Sequence, residues 1–598
     1  MIEIYKNLYS LLDVKQKKTI ITLQIFNIIL TILEVISLVL VVLFISSIND
    51  VEKLINNQFF LKLINLLNLN SILYSSNLIF FLGILAFLSY LITTIASLLI
   101  NISSNKTGQQ ISQSFAFSLY NYFISKNWIF FSKMNISEIN SNLFSDLTVV
   151  NNYLIIPSVN LVSKIFTSFA IVLTVIFINP FIAIIGSFFF IFFYGIAIFF
   201  IRKITKNNAK FLSEIRHLQF KLINDTFFGF KEVIFYNLKK SYKVFFDRNS
   251  QSLVKPESTM LSLQNIPRML IEFLTYSFII FLILFFFALD KNYSSTILNS
   301  LTIYGFAGLK LIPAFQQIYL TILRIKSATH SYNIVIDKLK ESRKKIKDRS
   351  IDFDDSELPF KNISLKNISF GYENKNYLKN INLHIKKNQI IGFAGYTASG
   401  KTTLVDLISG LIYPRSGTIL IDKKKLEKKD TIKWRNNFSI VHQNPYILNE
   451  TILENITFSK ILKVKVNYIR LKESLKISRL EKFIAKLPNG IHSIISERGL
   501  NISGGEKQRI VIARAIYFNK NIIIFDEATN SLDTKTELEI IDMLKNLSNK
   551  KTIIIITHRI NTLKICDKIF LLDNGKIVKR GSLAYLNKNS NYFKKINK

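Results

Sequence analysis

The sequence predicts two different folds in one chain: a bundle of six membrane-spanning α-helices over residues 1–335 and an α/β domain over residues 355–598, with a linker over residues 336–354 between them. Hydrophobic residues make up 49% of the 598-residue chain, yet 20% of all residues are charged. A fold that lies wholly in lipid or wholly in water rarely combines these two values, so the composition favours one part in lipid and one part in water. The apolar residues become sparser near residue 330, which indicates a border there.

The charge and the aromatic content narrow the class of protein. The formal net charge is +37, which by itself would suggest a nucleic-acid partner. Intrinsic disorder is excluded because 51 Phe and 24 Tyr are too many for a chain that cannot collapse. A disulfide scaffold is excluded because Cys566 is the only cysteine.

Six long apolar runs lie before residue 330. Each has close to the ~20 apolar residues that a helix needs to cross the hydrocarbon core of a bilayer. One such run could be a buried helix of a soluble core, but six in one stretch predict six membrane spans. The first run is too long for the core of a signal peptide, and no small-residue cleavage site follows it. The runs cover about residues 20–45, 78–100, 161–178, 181–201, 269–289 and 297–323.

Positive charge predicts on which side of the membrane each connection lies. Between Arg202 and Arg268 there are 13 basic and 5 acidic residues, so this connection and the similar one over residues 102–155 are predicted to be cytoplasmic. The loops after the first and fifth runs are neutral and are predicted to be external. The first of them contains a partly apolar stretch, residues 51–68, which either packs on its own domain or lies as a helix at the outer leaflet. Six spans return the chain to the cytoplasm, where residues 355–598 would lie.

A phosphate-binding loop is predicted near the start of the α/β domain. A buried strand over residues 390–394 runs into a G-x-x-x-x-G-K-T sequence and then a helix, which is the context that such a loop requires. Glycines let backbone N–H groups approach phosphates at the helix N-terminus, where Lys401 would reach the β- and γ-phosphates and the Thr402 hydroxyl would bind Mg²⁺. The candidate phosphate-binding residues are Gly395, Ser399, Gly400, Lys401, Thr402 and Thr403.

Two acidic residues follow a second buried strand. The four apolar residues 522–525 precede Asp526 and Glu527, which would emerge at the carboxyl end of the strand, where open α/β sheets bind ligands. Asp526 would hold Mg²⁺, and Glu527 would polarise the attacking water as a general base. A strand followed by two acids is a common surface pattern, so this interpretation depends on the phosphate-binding loop.

Residues 501–509, Asn-Ile-Ser-Gly-Gly-Glu-Lys-Gln-Arg, resemble the LSGGQ signature of ABC transporters. Residues 355–598 as a whole resemble an ABC-transporter nucleotide-binding domain, with further matches in the family's order. The resemblance implies that Tyr372 stacks on adenine, that Gln443 senses Mg²⁺ or water, and that His558 contacts the γ-phosphate. It also implies a D-loop that ends at Asp533 and, at residues 497–499, a loop that contacts the transmembrane helices.

The signature departs from the family pattern at two positions. Ile502 stands in place of Leu, and Glu506 stands in place of Gln, which puts a negative charge near the signature. Ser503 opens a helix and forms a second anion-binding terminus. The resemblance implies a head-to-tail dimer in which ATP lies between one chain's Gly395 loop and the other chain's signature, so the chain would be a half-transporter that works as a homodimer or beside a degenerate partner. The implied signature contacts are Ser503, Gly504 and Gly505.

The resemblance to type I exporters also implies two short coupling helices in the cytoplasmic connections. Aromatic residues cluster at residues 128–131 in the first connection and at residues 227–232 in the second. Such clusters are more often packing residues, but packing at an interface with a nucleotide-binding domain would itself be the function.

Charged residues inside the predicted spans are candidate contacts with the cargo, because burying charge in lipid is costly. Glu34 lies in the first run, Lys310 lies in the sixth, and Arg268 precedes Glu272 by four residues at the start of the fifth. These charges either pair internally or form a basic cavity that holds an anionic head group.

Two short stretches resemble the lipid-linked oligosaccharide flippases of bacterial N-glycosylation. Residues 267–272 resemble the P-R-x-x-x-E entry of that subfamily, and residues 309–313 resemble its Y-R-x-x-P stretch with Lys310 in place of Arg. Gln317 stands where the subfamily tends to have another Arg. The resemblance implies a multi-pass protein of the bacterial inner membrane whose basic residues hold a pyrophosphate while the polyprenyl tail stays among membrane lipids.

Other functions remain open. A general lipid or multidrug exporter would have an apolar cavity. A peptide exporter is less favoured because no cysteine-peptidase domain precedes the first span, and a non-transporting membrane ATPase would have lost catalytic residues, whereas none is lost here. A nucleic-acid partner is not expected, because the basic residues follow membrane topology and no helicase-type motif is present.

Overall fold

The computed structural model describes residues 2–49, 77–178, 180–289, 294–348, 356–372, 375–496, 501–528, 534–548 and 550–596. The chain forms two compact units. The first contains Met1–Lys126 and Lys133–Ser350, and the second contains Asn127–Ser132 and Ile351–Lys598. The stretch over residues 51–68, for which the sequence left two interpretations open, lies outside the described residues.

Long α-helices make up the first unit. Each of the six predicted apolar runs lies within a helix of its own, as the sequence predicts. The fourth run begins a helix at Pro180, a residue that suits the first helical turn because its missing N–H would have no partner there. In chain order, the helices before residue 350, of which α4 lies mostly in the second unit, are α1 (Ile2–Ser10), α2 (Val14–Asn49), α3 (Asn77–Ile124), α4 (Trp128–Lys133), α5 (Ile136–Asn140), α6 (Leu147–Val150), α7 (Ile156–Ile178), α8 (Pro180–Phe228), α9 (Phe230–Phe235), α10 (Lys239–Leu289) and α11 (Ser294–Asp348), with π-helical turns at Ser141–Asp146 and Asn151–Ile155.

Three stretches among the described residues are long and apolar enough to cross a membrane: Val14–Ile45, Ile79–Ile124 and Ile136–Ile176. They contain the first three predicted spans. Helices α8, α10 and α11 contain the other three, and most side chains of those spans lie outside the described residues.

The C-terminal part of α11 packs within the first unit. Ile336 and Leu339 are buried with Leu119 of α3 in one apolar cluster. Residues 336–348, which the composition suggested as a linker, are further turns of this helix, and the chain leaves the first unit at Ser350. Lysines and acids between the apolar positions lower the local hydropathy and conceal this helix in the sequence.

Two β-sheets organise the second unit. The first sheet has the strand order β2-β1-β4-β5 and is antiparallel, whereas the second has the order β10-β9-β3-β8-β7-β6 and is parallel except for β10. The strands are β1 (Asn362–Tyr372), β2 (Lys375–Lys386), β3 (Ile390–Gly395), β4 (Ser416–Ile421), β5 (Lys424–Lys425), β6 (Phe438–Val441), β7 (Ile522–Asp526), β8 (Thr552–Ile556), β9 (Lys568–Asp573) and β10 (Lys576–Gly581).

The central strands of the second sheet are buried along almost their whole length, as expected for parallel strands with helices on both faces. This arrangement brings the ends of β3 and β7 to one edge of the sheet. The helices of the second unit are α12 (Lys401–Ile408), α13 (Thr431–Arg435), α14 (Ile452–Thr457), α15 (Ser459–Leu462), α16 (Tyr468–Ile477), α17 (Glu481–Ile484), α18 (Gly504–Tyr517), α19 (Thr534–Ser548), α20 (Ile560–Leu563), α21 (Leu583–Asn589) and α22 (Asn591–Ile596), with 3₁₀ turns at Lys428–Asp430 and Gly490–His492.

One short piece of the first long connection belongs to the second unit. Residues Asn127–Ser132, which include most of α4, group with the α/β domain. Ile129 is partly buried against the apolar cluster that contains Trp434 and Phe360. The aromatic segment predicted at residues 128–131 therefore includes a residue that packs on the α/β core.

Candidate nucleotide site

The predicted phosphate-binding loop joins β3 to α12. Gly395 ends β3 with a φ of +149°, and a Cβ atom there would lie 2.1 Å from the carbonyl oxygen of Leu572. Gly400 precedes α12 with a φ of +99°, and a Cβ atom there would lie 2.7 Å from Cδ2 of Leu378. Residues with a side chain rarely adopt such φ values, and the space is missing as well. Both positions therefore require glycine, which leaves backbone N–H groups accessible at the start of α12.

Lys401 is buried in the first turn of α12 with its ammonium group turned back into the loop. Its Nζ donates to the carbonyl oxygens of Gly395 and Tyr396, both at 2.9 Å. Burial lowers the pKa of Lys401, while the two carboxylates at the end of β7 act in the opposite direction. The adjacent Ser399 hydroxyl is buried and has no hydrogen-bond partner among the described residues. A buried ammonium and a buried hydroxyl are both suited to phosphate oxygens.

The next two residues of α12 differ in accessibility. Thr402 is exposed and Thr403 is half-buried. The Thr402 hydroxyl can therefore reach a ligand at the mouth of the loop.

Asp526 ends β7 and Glu527 follows it, at the same edge of the sheet. Burial raises the pKa of Asp526, the charge of Glu527 raises it further, and Lys401 acts against both. Burial also raises the pKa of Asp406 on α12 to about 6, with a further contribution from Asp526. Sequence reasoning missed Asp406, because an acid inside the helix after the loop belongs to no motif. The negative charges of Asp526 and Glu527 beside one ammonium favour a further cation at this edge.

Glu527 and His558 are in direct contact. Glu527 has a φ of +48°, a left-handed backbone that is unusual for a residue other than glycine. Its N–H donates to the carbonyl oxygen of Ile556 at 2.9 Å. Its Oε1 lies 2.8 Å from Nε2 of His558, which follows β8. The parallel pairing of β7 and β8 brings these two sequence-predicted residues together.

Tyr592 on α22 is a third member of this group that the sequence did not reveal. Its hydroxyl donates to the carbonyl oxygen of Gly395 at 3.1 Å and lies 3.3 Å from Nδ1 of His558. Burial is the largest cause of the raised pKa of Tyr592, so the phenol keeps its proton near neutral pH. An aromatic residue in a short helix predicts packing only, which is why no pattern identified it.

The predicted signature begins α18 with a helix cap. The Oγ of Ser503 accepts from the backbone N–H of Glu506 at 3.3 Å. In return, Oε2 of Glu506 accepts from the Ser503 N–H at 2.7 Å and from the Ser503 hydroxyl at 2.9 Å. Glu506, one of the two residues that depart from the family pattern, thus completes a capping box. Within the described residues, Ser503 makes no hydrogen bond to the phosphate-binding loop, and Gly504 and Gly505 follow in the first turn of α18.

The structure describes only some of the other predicted nucleotide contacts. Gln443 is exposed in the loop after β6, one residue from His442, whose carbonyl oxygen accepts from Nε2 of Gln508 on α18 at 3.2 Å. Tyr372 ends β1, and its side chain lies outside the described residues. Asp533 and residues 497–499 lie outside them entirely.

The residues predicted to face a cargo lie in the first unit. Glu34 is buried on α2, where its carbonyl oxygen accepts from the Ser37 hydroxyl at 2.8 Å. Lys310 on α11 has its Nζ 4.8 Å from the centre of the Tyr90 ring on α3, the geometry of a cation–π contact. Arg268 lies on α10, and its side chain is outside the described residues.

Known proteins resemble this chain in sequence and in fold. Residues 378–530 match the ABC transporter family model, a segment that includes the phosphate-binding loop, the signature and both acids of β7. A solved bacterial Atm1-family ABC exporter with ATP bound superposes with a TM-score of 0.77, covering 96% of this chain and 98% of that chain at 18% sequence identity. The chain has the type I ABC exporter fold. The predicted fold class is thus confirmed.

Three curated relatives illustrate the sequence likeness. The ATP-dependent lipid A-core flippase of Syntrophus aciditrophicus (strain SB) is 38% identical over 220 residues, which are 37% of this chain and 36% of the flippase. The leukotoxin translocation ATP-binding protein LktB of Mannheimia glucosida is 38% identical over 231 residues, 38% of this chain and 32% of LktB. The lipid A-core flippase of Francisella novicida is 28% identical over 388 residues, 64% of this chain and 63% of the flippase. The chain thus spans about a third of the length of the first two relatives.

Proposed function

We propose that this chain is an ATPase that couples ATP hydrolysis to transport across a bacterial cytoplasmic membrane. The observation that carries the proposal is the 2.8 Å contact between Glu527 and His558, next to Lys401 of the phosphate-binding loop. Phosphoryl transfer to water needs a phosphate clamp, a group that orients the water and a donor to the terminal phosphate in one place. The exporter fold joins this constellation to long apolar helices, which supports coupling to transport.

Each group has a proposed task. Lys401 would exchange the carbonyl oxygens of Gly395 and Tyr396 for phosphate oxygens when ATP binds, and Ser399 would gain the acceptor that it lacks. Glu527 would orient and polarise the attacking water. His558 would leave Glu527 and contact the γ-phosphate, while Tyr372 would stack on adenine, as the family resemblance implies.

Mg²⁺ fits the oxygen donors of this site. The described residues contain no group of three or more His, Cys, Asp or Glu that could hold a metal ion. This suits Mg²⁺, which is usually bound through one or two carboxylates plus phosphate oxygens and waters. Asp526, Thr402 and Gln443 would hold the ion, and the carboxylates crowded around Asp526 favour it electrostatically. When bound, Mg²⁺ neutralises charge that develops on the phosphates.

We further propose a head-to-tail homodimer. The start of α18, with Ser503, Gly504 and Gly505, makes no hydrogen bond through Ser503 to its own phosphate-binding loop within the described residues, so it can serve the ATP bound to a partner. Glu527 and His558 are both present, so both ATP sites of a homodimer would hydrolyse. Aromatic side chains around residues 227–236 support a docking contact for coupling, because four of them are at least 66% exposed: Phe227, Phe228, Phe235 and Tyr236.

The proposed cargo is an amphipathic anionic lipid, with a polyprenyl-pyrophosphate-linked oligosaccharide as the first candidate. Lys310 next to Tyr90, the buried Glu34 and Arg268 support a polar path for a head group in a protein whose fold otherwise faces lipid. Two of the relatives are named as lipid A-core flippases, which supports a lipid cargo. A general lipid or multidrug exporter is the alternative, and the likeness to a leukotoxin translocation protein keeps peptide export as a third.

Replacing Glu527 by Gln tests the ATPase assignment. Gln keeps an oxygen that can accept from His558, so the fold is retained, while loss of the base lowers ATP turnover at least about 100-fold and leaves ATP bound. ATP hydrolysis by the purified full chain is the measurement, and Glu473→Gln on the exposed face of α16 is the matched control. Normal turnover in E527Q would overturn the role of Glu527.

A proteoliposome assay tests the cargo. Loss of a fluorescent polyprenyl-pyrophosphate oligosaccharide from one leaflet, dependent on ATP and absent in E527Q, supports the flippase. Transport of short-chain lipids or drugs, without movement of that glycolipid, supports the general exporter instead.

A further inference from the structure

The Tyr592 hydroxyl connects the phosphate-binding loop to the histidine after β8. It contacts Gly395, the first glycine of the loop, and His558, although Tyr592 lies 197 residues from Gly395 and 34 from His558. Through Gly395 it also shares an acceptor with Lys401, whose Nζ donates to the same carbonyl oxygen. Tyr592 thus contacts the carbonyl oxygen to which Lys401 donates and the histidine that contacts Glu527. The proposed hydrolysis requires both Lys401 and Glu527.

Counting protons in this network determines which atom donates each hydrogen bond. A carbonyl oxygen only accepts, so the single proton of the Tyr592 hydroxyl is used on Gly395. The contact of 3.3 Å with His558 then requires a proton on Nδ1, which donates to the phenol oxygen. On the other side of the ring, the 2.8 Å contact of Nε2 with the Glu527 carboxylate also requires a proton between the two atoms. His558 therefore donates from Nδ1 to the phenol oxygen, and a second proton is shared between Nε2 and the Glu527 carboxylate.

The phenol ring is held firmly enough to impose this arrangement. Tyr592 is 7% exposed. Its ring meets the edge of Tyr396 with centroids 5.0 Å apart and an interplanar angle of 85°, and it meets Phe593 at 5.3 Å. Phe593 is itself fully buried in the core of the α/β domain. Ring contacts with Tyr396 and Phe593 thus determine the position of the hydroxyl.

We propose that Tyr592 is a positioning residue whose hydroxyl orients the His558 ring through Nδ1, so that Nε2 faces Glu527 before ATP arrives and the γ-phosphate afterwards. The consequence for turnover rests on the proposed ATPase function, whereas the consequence for the His558 ring does not. Tyr592 acts through His558 and the loop carbonyl and does not itself reach the reacting atoms.

Tyr592→Phe tests the proposal because it removes the hydroxyl and keeps the ring. Tyr585→Phe on α21 is the matched control, since Tyr585 is 53% exposed and its hydroxyl has no hydrogen-bond partner among the described residues. Without the phenol oxygen, one proton on Nε2 satisfies Glu527, so Nδ1 has no remaining partner. We expect kcat for ATP to fall by about three- to tenfold, as for loss of one hydrogen bond, with KM changed less than twofold.

The protonation of the ring is read independently by ¹⁵N NMR of the full chain labelled at its six histidines, without nucleotide and with His558→Ala to assign the signal. The wild type and Y585F should show a protonated Nδ1 at His558, and Y592F an unprotonated one. An unprotonated Nδ1 in the wild type, an unchanged His558 spectrum in Y592F, a kcat within twofold of wild type, or a change confined to KM would each overturn the proposal. If the wild type hydrolyses no more ATP than E527Q, the proposed ATPase function fails, and the NMR comparison still decides the role of Tyr592.

Discussion

Replacing Glu506 by Gln isolates the effect of the negative charge at the signature. The Glu506 carboxylate accepts the N–H and the hydroxyl of Ser503 at 2.7 and 2.9 Å. An amide oxygen accepts the same two bonds, so E506Q keeps the helix cap and removes the charge. The lost interaction of that charge with the N-terminal end of α18 is worth about 0.3–1 kcal/mol.

Removing the charge of Glu506 should also favour a closed dimer. We expect this gain in free energy to be larger than the loss at the helix cap. If Ser503 donates to a phosphate on the partner, two hydrogen-bond lengths put the Glu506 carboxylate about 5–6 Å from phosphate oxygens. One unit of like charge at that separation costs about 0.8–3 kcal/mol for an effective dielectric constant between those of water and of a protein surface. We therefore expect E506Q to lower the ATP concentration needed for a closed dimer by about four- to 140-fold, since 1.4 kcal/mol corresponds to a factor of about ten.

The assay uses the E527Q background, in which hydrolysis does not deplete the ATP. ATP retention by the purified dimer is titrated with and without E506Q. The difference should shrink between 0.1 and 1 M salt, where the Debye length falls from about 10 to about 3 Å. Glu454→Gln is the matched control, because Glu454 follows the N-cap Thr451 in the first turn of α14. An unchanged or higher ATP requirement in E506Q, or an equal gain in E454Q, would refute the reasoning.

Three further predictions follow from single residues. Gly395→Ala should abolish the stabilisation of the protein against heat by ATP, because the new Cβ would lie 2.1 Å from the Leu572 carbonyl oxygen. Gly504→Ala is the control and should keep the native fold, because a Cβ there meets nothing within 4 Å. Equal melting temperatures of the two variants without ATP would argue against the steric conflict. Burial raises the pKa of Cys566 to about 12. Iodoacetamide at pH 8 should therefore label the folded chain about a thousandfold more slowly than a free thiol with a pKa of about 8.5, and the labelling rate should rise about tenfold per pH unit. Rapid labelling of the folded chain at pH 8 would contradict this burial. Lys310→Gln should abolish stimulation of ATP hydrolysis by a polyprenyl-pyrophosphate lipid while Lys310→Arg keeps it, and equal stimulation of both variants would remove Lys310 from the cargo path.

Local patterns were sufficient for much of this molecule. A glycine-rich loop between a buried strand and a helix predicted the placement of Gly395 and Lys401, because backbone geometry and N–H accessibility depend on adjacent residues. The apolar runs predicted the long helices for the same reason. Composition was less reliable at the end of α11, where Ile336 and Leu339 are buried among charged neighbours that lower the mean hydropathy.

The sequence by itself determined the two-part architecture, the phosphate-binding loop and the position of Asp526 and Glu527 after a run of apolar residues. These depend on chain-local physics: hydrophobic length, glycine at positive φ, and acids at the end of a buried strand. His558 was indicated by the family resemblance alone. Only the tertiary structure decided that Glu527 and His558 are in contact and that Tyr592 lies against His558 and Gly395. Those contacts join residues far apart in the chain, and strand order and side-chain packing bring them together, so no spacing in the sequence records them.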